Sequence, residues 1–242
     1  MWLALIVCVA ATRAPGEEPT AKPGDAIRRD AALVEFVRRG REALEWTDEG
    51  VRHEWRLQRR PGTEACRVLD PDDRVVREGT AEECRHAFAS RDRSQRVRSD
   101  VVFLLHGLGE GRWSMRPLAD SLRSRLDADV MSFGYASVKA DIDAHARALG
   151  TVLAGLPEAE RISFVGHSLG NLVVRRWMAI AAAEDLARVQ RMVMLGPPNQ
   201  GADLARLAAK IWGFAIRAEG AARDLAIDWE AVAPGLAVPA CD

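Results

Sequence analysis

The stretch Arg161-Ile162-Ser163-Phe164-Val165-Gly166-His167-Ser168-Leu169-Gly170 decides how this chain is read. A strand-length apolar run, 161–165, enters a Gly-x-Ser-x-Gly pentapeptide, and Leu172, Val173, Trp177 and Ile180 follow at helical spacing. A serine between the end of a strand and the start of a helix sits on a sharp turn that exposes its Oγ. Glycines at 166 and 170 keep clear the space that side chains would fill. The peptide dipoles at the helix start favour the negative charge that develops when such a serine attacks a carbonyl. A glycine-rich helix cap with an unreactive serine is the bland alternative, and the strand-to-helix setting counts against it. Ser168 is therefore the candidate nucleophile.

Working upstream, Val101-Val102-Phe103-Leu104-Leu105 reads as a buried strand ending in His106-Gly107-Leu108-Gly109. Acyl transfer needs two N–H donors aimed at a tetrahedral oxyanion. Leu169, the residue after the nucleophile, supplies one. Leu108 is the candidate for the other, since the preceding glycine lets the backbone approach. His106, Gly107, Gly109, Gly166, His167 and Gly170 support these two motifs.

Between and beyond them strands alternate with helices. Ser114 is placed to cap a helix with Pro117 in its first turn and Met115, Leu118, Leu122 and Leu126 on one face. A strand is expected over 130–135. A helix follows, carrying Ile142, Leu149, Val152, Leu153 and Leu156 on one face, and a fourth core strand covers 189–196. This alternation predicts an α/β fold, a mostly parallel sheet with helices on both faces, over 100–242. Leu204, Leu207, Ile211, Phe214 and Ala215 share a helical face, so 203–230 reads either as lid helices or as helices packed on the sheet.

The His-Gly-Leu-Gly loop, Gly-His-Ser-Leu-Gly, and the segment Gly196-Pro197-Pro198-Asn199-Gln200-Gly201-Ala202 together resemble the bacterial lipase and esterase branch of the α/β-hydrolases. That last segment is similar to the Gly-Thr-Pro-x-x-Gly that follows the corresponding strand there, although Pro198-Asn199 stands where Pro-His is commoner. The resemblance covers residues 100–204. It implies a serine hydrolase of carboxylic esters with an ester or lipid substrate, no metal and no organic cofactor. An acyltransferase on the same elbow, or a non-catalytic module binding lipid or a partner protein, are the alternatives.

In this fold the acid and then the base follow the nucleophile in the chain. None of the five histidines does: His53 and His86 lie in the N-terminal region, His106 and His167 read as structural residues of the two motifs, and His145 as a core-edge helix residue. Asp203, Asp224 and Asp228 are late enough to be the acid but lie on helical patterns. The expectation is a hydrolase sheet lacking its last strands, a reading frame continuing past Asp242 through a strand, an acid and a His, and little activity in these 242 residues alone.

Composition agrees with an ordinary globular chain: 48% hydrophobic, 29% charged and a net charge of −1, which gives no reason to expect nucleic acid as a partner. The apolar run from Trp2 to Ala11 has the length of a signal-peptide core and is too short to span a bilayer; with Thr12-Arg13-Ala14 as cleavage site it predicts residues 1–14 to be a signal peptide and the protein to be exported, not transmembrane. Residues 15–30 read as a Pro/Gly/charge linker and 31–99 as a small α+β extension. That extension starts with an amphipathic helix over 31–46. Two strands, 55–59 and 66–69, flank Pro61-Gly62, and a capping box at Thr80-Ala81-Glu82-Glu83 opens a short helix. Cys66 and Cys84 flank a turn at 71–74 and are candidate disulfide partners in an oxidising compartment; Cys8 leaves with the signal peptide and Cys241 is left over.

Overall fold

Val101, Phe103 and Leu105 point to one side of the central strand, Val102 and Leu104 to the other, and this period of two divides the protein into two apolar layers. The computed structural model describes residues 44–91, 96–199, 220–221, 224 and 229–238. The expected signal peptide, linker, most of the 31–46 helix, most of the 203–230 helices and Cys241 lie outside these residues.

The main sheet is parallel, with strands β5 (Asp100–Leu105), β6 (Asp129–Phe133), β7 (Arg161–His167) and β8 (Val189–Leu195) in the order β6-β5-β7-β8. Its helices are α2 (Arg116–Arg123), α3 (Ile142–Ala154), α4 (Leu169–Ile180) and the single turn α5 (Ala183–Leu186). The larger layer joins Phe103, Phe133 and Phe164 to Leu149 and Leu153 of α3 and to Leu172 and Trp177 of α4. On the other face Met115, Leu118, Ala119 and Leu122 cover Val102, Leu104 and Val130. The expected α/β sheet with helices on both faces is present.

Three local expectations change. Ser114 does not cap a helix: residues Arg112–Met115 form a 3-10 turn that runs into α2 with Pro117 in its first turn, and the Ser114 hydroxyl donates to Glu110 instead. Leu126 lies beyond the end of α2 and is exposed. His145 is in the core rather than at its edge, because the segment after β6 brings Tyr135 against it, ring centroids 4.7 Å apart.

The N-terminal region is a four-stranded antiparallel meander, β1 (Thr47–Arg52), β2 (Trp55–Arg59), β3 (Cys66–Leu69) and β4 (Val75–Gly79), followed by α1 (Ala81–Ala89). Both anticipated strands and the capping box are there: Thr80 Oγ1 accepts from Glu83 N and the Glu83 carboxylate from Thr80 N. β1 and β4 carry no alternating apolar pattern and were not expected as strands. Cys66 and Cys84 are both free thiols, fully buried side by side with Leu57 and Val68; burial pushes both thiols up in pKa.

The meander is joined to the main sheet by a buried carboxylate. Asp48 accepts from Arg56 Nη1 (2.7 Å), Gln58 Nε2 (2.8 Å) and the backbone N of Gly134 just beyond β6 (2.7 Å). Asp48 N in turn donates to Gly134 O (2.8 Å), and Arg56 also reaches Ser132 O (2.6 Å). Asp48 has no exposed surface and Arg56 almost none, so each charge depends on the other for its solvation. Asp48→Ala leaves that guanidinium buried without its carboxylate and is expected to destabilise the fold by about 3–5 kcal/mol. Urea unfolding followed by Trp fluorescence checks this; a loss below about 1 kcal/mol contradicts it.

Candidate active site

β5 and β7 are hydrogen-bonded neighbours, with Leu105 opposite Gly166, so the loops leaving their C-terminal ends must meet. Chain connectivity parts at this point, since β5 is followed by β6 on one side and β7 lies on the other, which is where open α/β sheets carry their ligands. The His106–Gly109 loop and the Ser168 elbow face each other here.

Ser168 has φ 49° and ψ −116°, a backbone conformation that costs a non-glycine residue of order 1–3 kcal/mol and persists only where its surroundings impose it. Those surroundings are specific. Ser168 N donates to Leu195 O at the end of β8 (2.9 Å), and the buried Asn171 side chain donates to both Ser168 O (3.0 Å) and Leu195 O (3.2 Å). A Cβ on Gly166 would lie 2.5 Å from Asn171 Oδ1, and one on Gly170 would lie 2.6 Å from Leu105 O and 2.9 Å from His106 O. Both glycines are thus required by close backbone approach. Asn171 was not anticipated, although a lone amide beside Leu172 and Val173 on a buried helix face is a signal the sequence did carry.

Across from the elbow, a Cβ on Gly107 would lie 3.3 Å from Ser168 Cβ and 3.0 Å from His167 Nδ1. Gly107 N donates to Glu110 Oε2 (3.1 Å) and Gly109 N, with φ +71° at this glycine, to Ser137 Oγ (3.0 Å). Leu108 N lies between these two committed amides, and Leu169 N opens α4 immediately after the serine. Neither has an acceptor among the described residues.

His106 and His145 are occupied elsewhere. His106 is fully buried, its Nδ1 donates to Gly107 O (2.9 Å), its Nε2 accepts from Tyr135 N (3.4 Å), and its carbonyl accepts from the Tyr135 hydroxyl (2.5 Å). Burial pushes it down to about 4 and His145 down to about 3, so both are neutral at pH 7. Burial likewise raises the Tyr135 hydroxyl well above its usual range. His167 is half-exposed and pairs through Nδ1 with Glu110 Oε2 (3.3 Å). Among the described residues none hydrogen-bonds the Ser168 hydroxyl. Also among them, no group of three or more His, Cys, Asp or Glu could hold a metal ion, and no helix is long and apolar enough to cross a membrane.

The four-stranded parallel sheet with helices on both faces is an α/β fold, and Ser168 sits on its strand-to-helix elbow. Residues 99–196 match the family described as "Putative serine esterase (DUF676)". No curated protein matches the chain. Among solved structures it is similar to the Bacillus licheniformis lipase BlEst2 in mature form, at 19% identity and TM-score 0.43, covering 57% of this chain and 60% of that one. An inhibited esterase B of Lactobacillus rhamnosis is similar at 15% identity and TM-score 0.43, covering 88% of this chain and 69% of that one. The chain thus spans about 60% of the length of the BlEst2 lipase.

Two outcomes follow from this geometry. Gly170→Ala drives a methyl into two backbone carbonyls and is expected to destabilise by about 2 kcal/mol or more, read as a lowered melting temperature; an unchanged melting temperature contradicts the packing. The second concerns pH. The Glu110 hydrogen bond raises His167 above its usual 6.5, with burial opposing. Burial pushes the Glu110 carboxyl up, but donors from His167, Gly107 and Ser114 outweigh it and hold it at about 2. The His167 contribution to stability is therefore complete below 6.5 and lost as pH rises through its raised folded value. The Glu110 contribution is complete above its ordinary 4.5 and lost as pH falls towards 2. The stability difference between wild type and His167→Gln should be largest between pH 4.5 and 6.5 and shrink on the alkaline side; a difference independent of pH contradicts the pair.

Proposed function

We propose that this chain carries the nucleophile and oxyanion hole of a serine hydrolase acting on carboxylic esters. Ser168 Oγ attacks the ester carbonyl as its proton passes to a base in solution, the oxyanion of the tetrahedral intermediate is held by Leu108 N–H and Leu169 N–H, and collapse expels the alcohol, which takes a proton back, to leave an acyl-Ser168 that water cleaves to the carboxylic acid and free Ser168. The observation carrying this reading is the positive-φ backbone of Ser168 beside a loop with one uncommitted amide. The family matched by 99–196 supports the same class of chemistry.

The general base is a separate matter. His106 has both nitrogens on backbone groups, His145 is buried against Tyr135, His167 is turned to Glu110, and His53 and His86 belong to the meander and α1. That arrangement favours the second reading, a hydrolase-like module that binds lipid or a protein partner without turning it over. Added imidazole separates the two. The 242-residue polypeptide should cleave p-nitrophenyl butyrate only slowly, with oxyanion stabilisation and binding alone contributing roughly 10³–10⁴ over water. Imidazole in solution should raise the rate in proportion to its concentration, and Ser168→Ala should remove that increase. An imidazole response equal in wild type and Ser168→Ala would leave only the binding module.

A further inference from the structure

Glu110 Oε2 receives three donors from three different places: Gly107 N of its own loop (3.1 Å), Ser114 Oγ of the 3-10 turn (3.0 Å) and His167 Nδ1, the residue immediately before the nucleophile (3.3 Å). Glu110 N also donates back to Gly107 O (3.3 Å), closing the loop on itself. The carboxylate side chain is about one-fifth exposed, so these contacts are only partly open to water. We propose that Glu110 is a positioning residue that clasps the oxyanion loop to the nucleophile elbow, fixing the direction of Leu108 N–H. The inference rests on the reading of Ser168 and Leu108 given above and adds to it the group that sets their relative geometry.

The physical case is one of elimination along the loop. An amide serves an oxyanion only if no protein acceptor takes it and if it does not swing away. Gly107, with no side chain to hold it, is tied through Glu110, and Gly109 is tied through Ser137, so the peptide between them has its orientation set from both ends. Without the carboxylate, Gly107 would keep its carbonyl contacts from Glu110 N and His106 Nδ1 and its packing against His167 and Ser168, but its N–H would lose its acceptor. The same oxygen bridges to His167, whose position is fixed by β7 and by the strained residue that follows. The donors therefore stay aimed at the point where charge develops on a Ser168 adduct, which is what preorganised stabilisation requires. The charged groups at this contact are Glu110 from the loop and His167 from β7.

Glu110→Gln tests this in the 242-residue protein with two readouts. The first needs no activity: the His167 ring, followed by NMR, should titrate above 6.5 in wild type and return towards 6.5 in the variant, while the Gly107 amide loses hydrogen-exchange protection. The second is imidazole-assisted acylation of Ser168 by p-nitrophenyl butyrate, where kcat should fall about tenfold with KM little changed, because the donor is misdirected and not removed. Ser114→Ala, which removes one donor without touching the charge, should give a smaller loss in the same direction and guards against a variant that fails to fold. An unchanged His167 titration overturns the clasp; a moved titration with unchanged acylation, or equal losses in kcat and in thermal stability for both variants, overturns its positioning role. Absence of acylation in wild type as well, with the titration shifted as expected, would instead remove the Ser168 reading and leave Glu110 as a structural brace.

Discussion

A single backbone conformation, the positive φ at Ser168, organises the rest of this structure. An L-residue does not hold it unaided, so it has to be enforced by neighbours on every side. β7 delivers the residue, α4 carries the chain away, β8 takes its amide through Leu195, and Asn171 bridges the two carbonyls at the turn. Gly166 and Gly170 are the consequence: a methyl at either would collide with the groups that enforce the turn.

Because β5 lies directly beside β7, the second half of the site comes from strand order and not from proximity in sequence. His106 braces this loop from within the core. Its ring stacks on Tyr135 at 4.1 Å and both its nitrogens are used by backbone groups. Tyr135 in turn packs against His145. This aromatic column runs inward from the His106–Gly109 loop, and burial keeps both imidazoles neutral, so neither ring strands a charge in the core.

The meander reaches the same region from the opposite edge. Asp48 grips Gly134 just past β6, and Asp73 of the β3–β4 turn pairs with Arg112 at the start of the 3-10 turn that follows the His106–Gly109 loop. A region that looked like a separate appendage is therefore bonded into the shoulders of the site. Its tryptophans contribute locally: Arg67 lies over the Trp46 ring at 4.3 Å and Arg91 over Trp55 at 5.2 Å.

The four core strands, the two strands around Pro61-Gly62, the capping box at Thr80 and the two glycine motifs were legible in the sequence. Each depends on local chemistry: a run of apolar residues, a capping side chain, a turn that only small residues allow. β1 and β4 were not legible, since β1 buries Thr47 and Asp48 and β4 is largely exposed, so neither shows the alternation by which a strand is recognised. Nor could the sequence assign Ser114, Asn171, His145 or Glu110. Their partners lie on other elements, and a carboxylate that reads as a surface charge in sequence becomes a clasp only when β5 and β7 are set side by side. Periodicity and turn chemistry determined the core strands, their helices and the turn that carries the serine; the order of strands in the sheet decided which polar groups meet, because hydrogen bonds between distant residues exist only once the backbone has brought them within roughly 3 Å of each other.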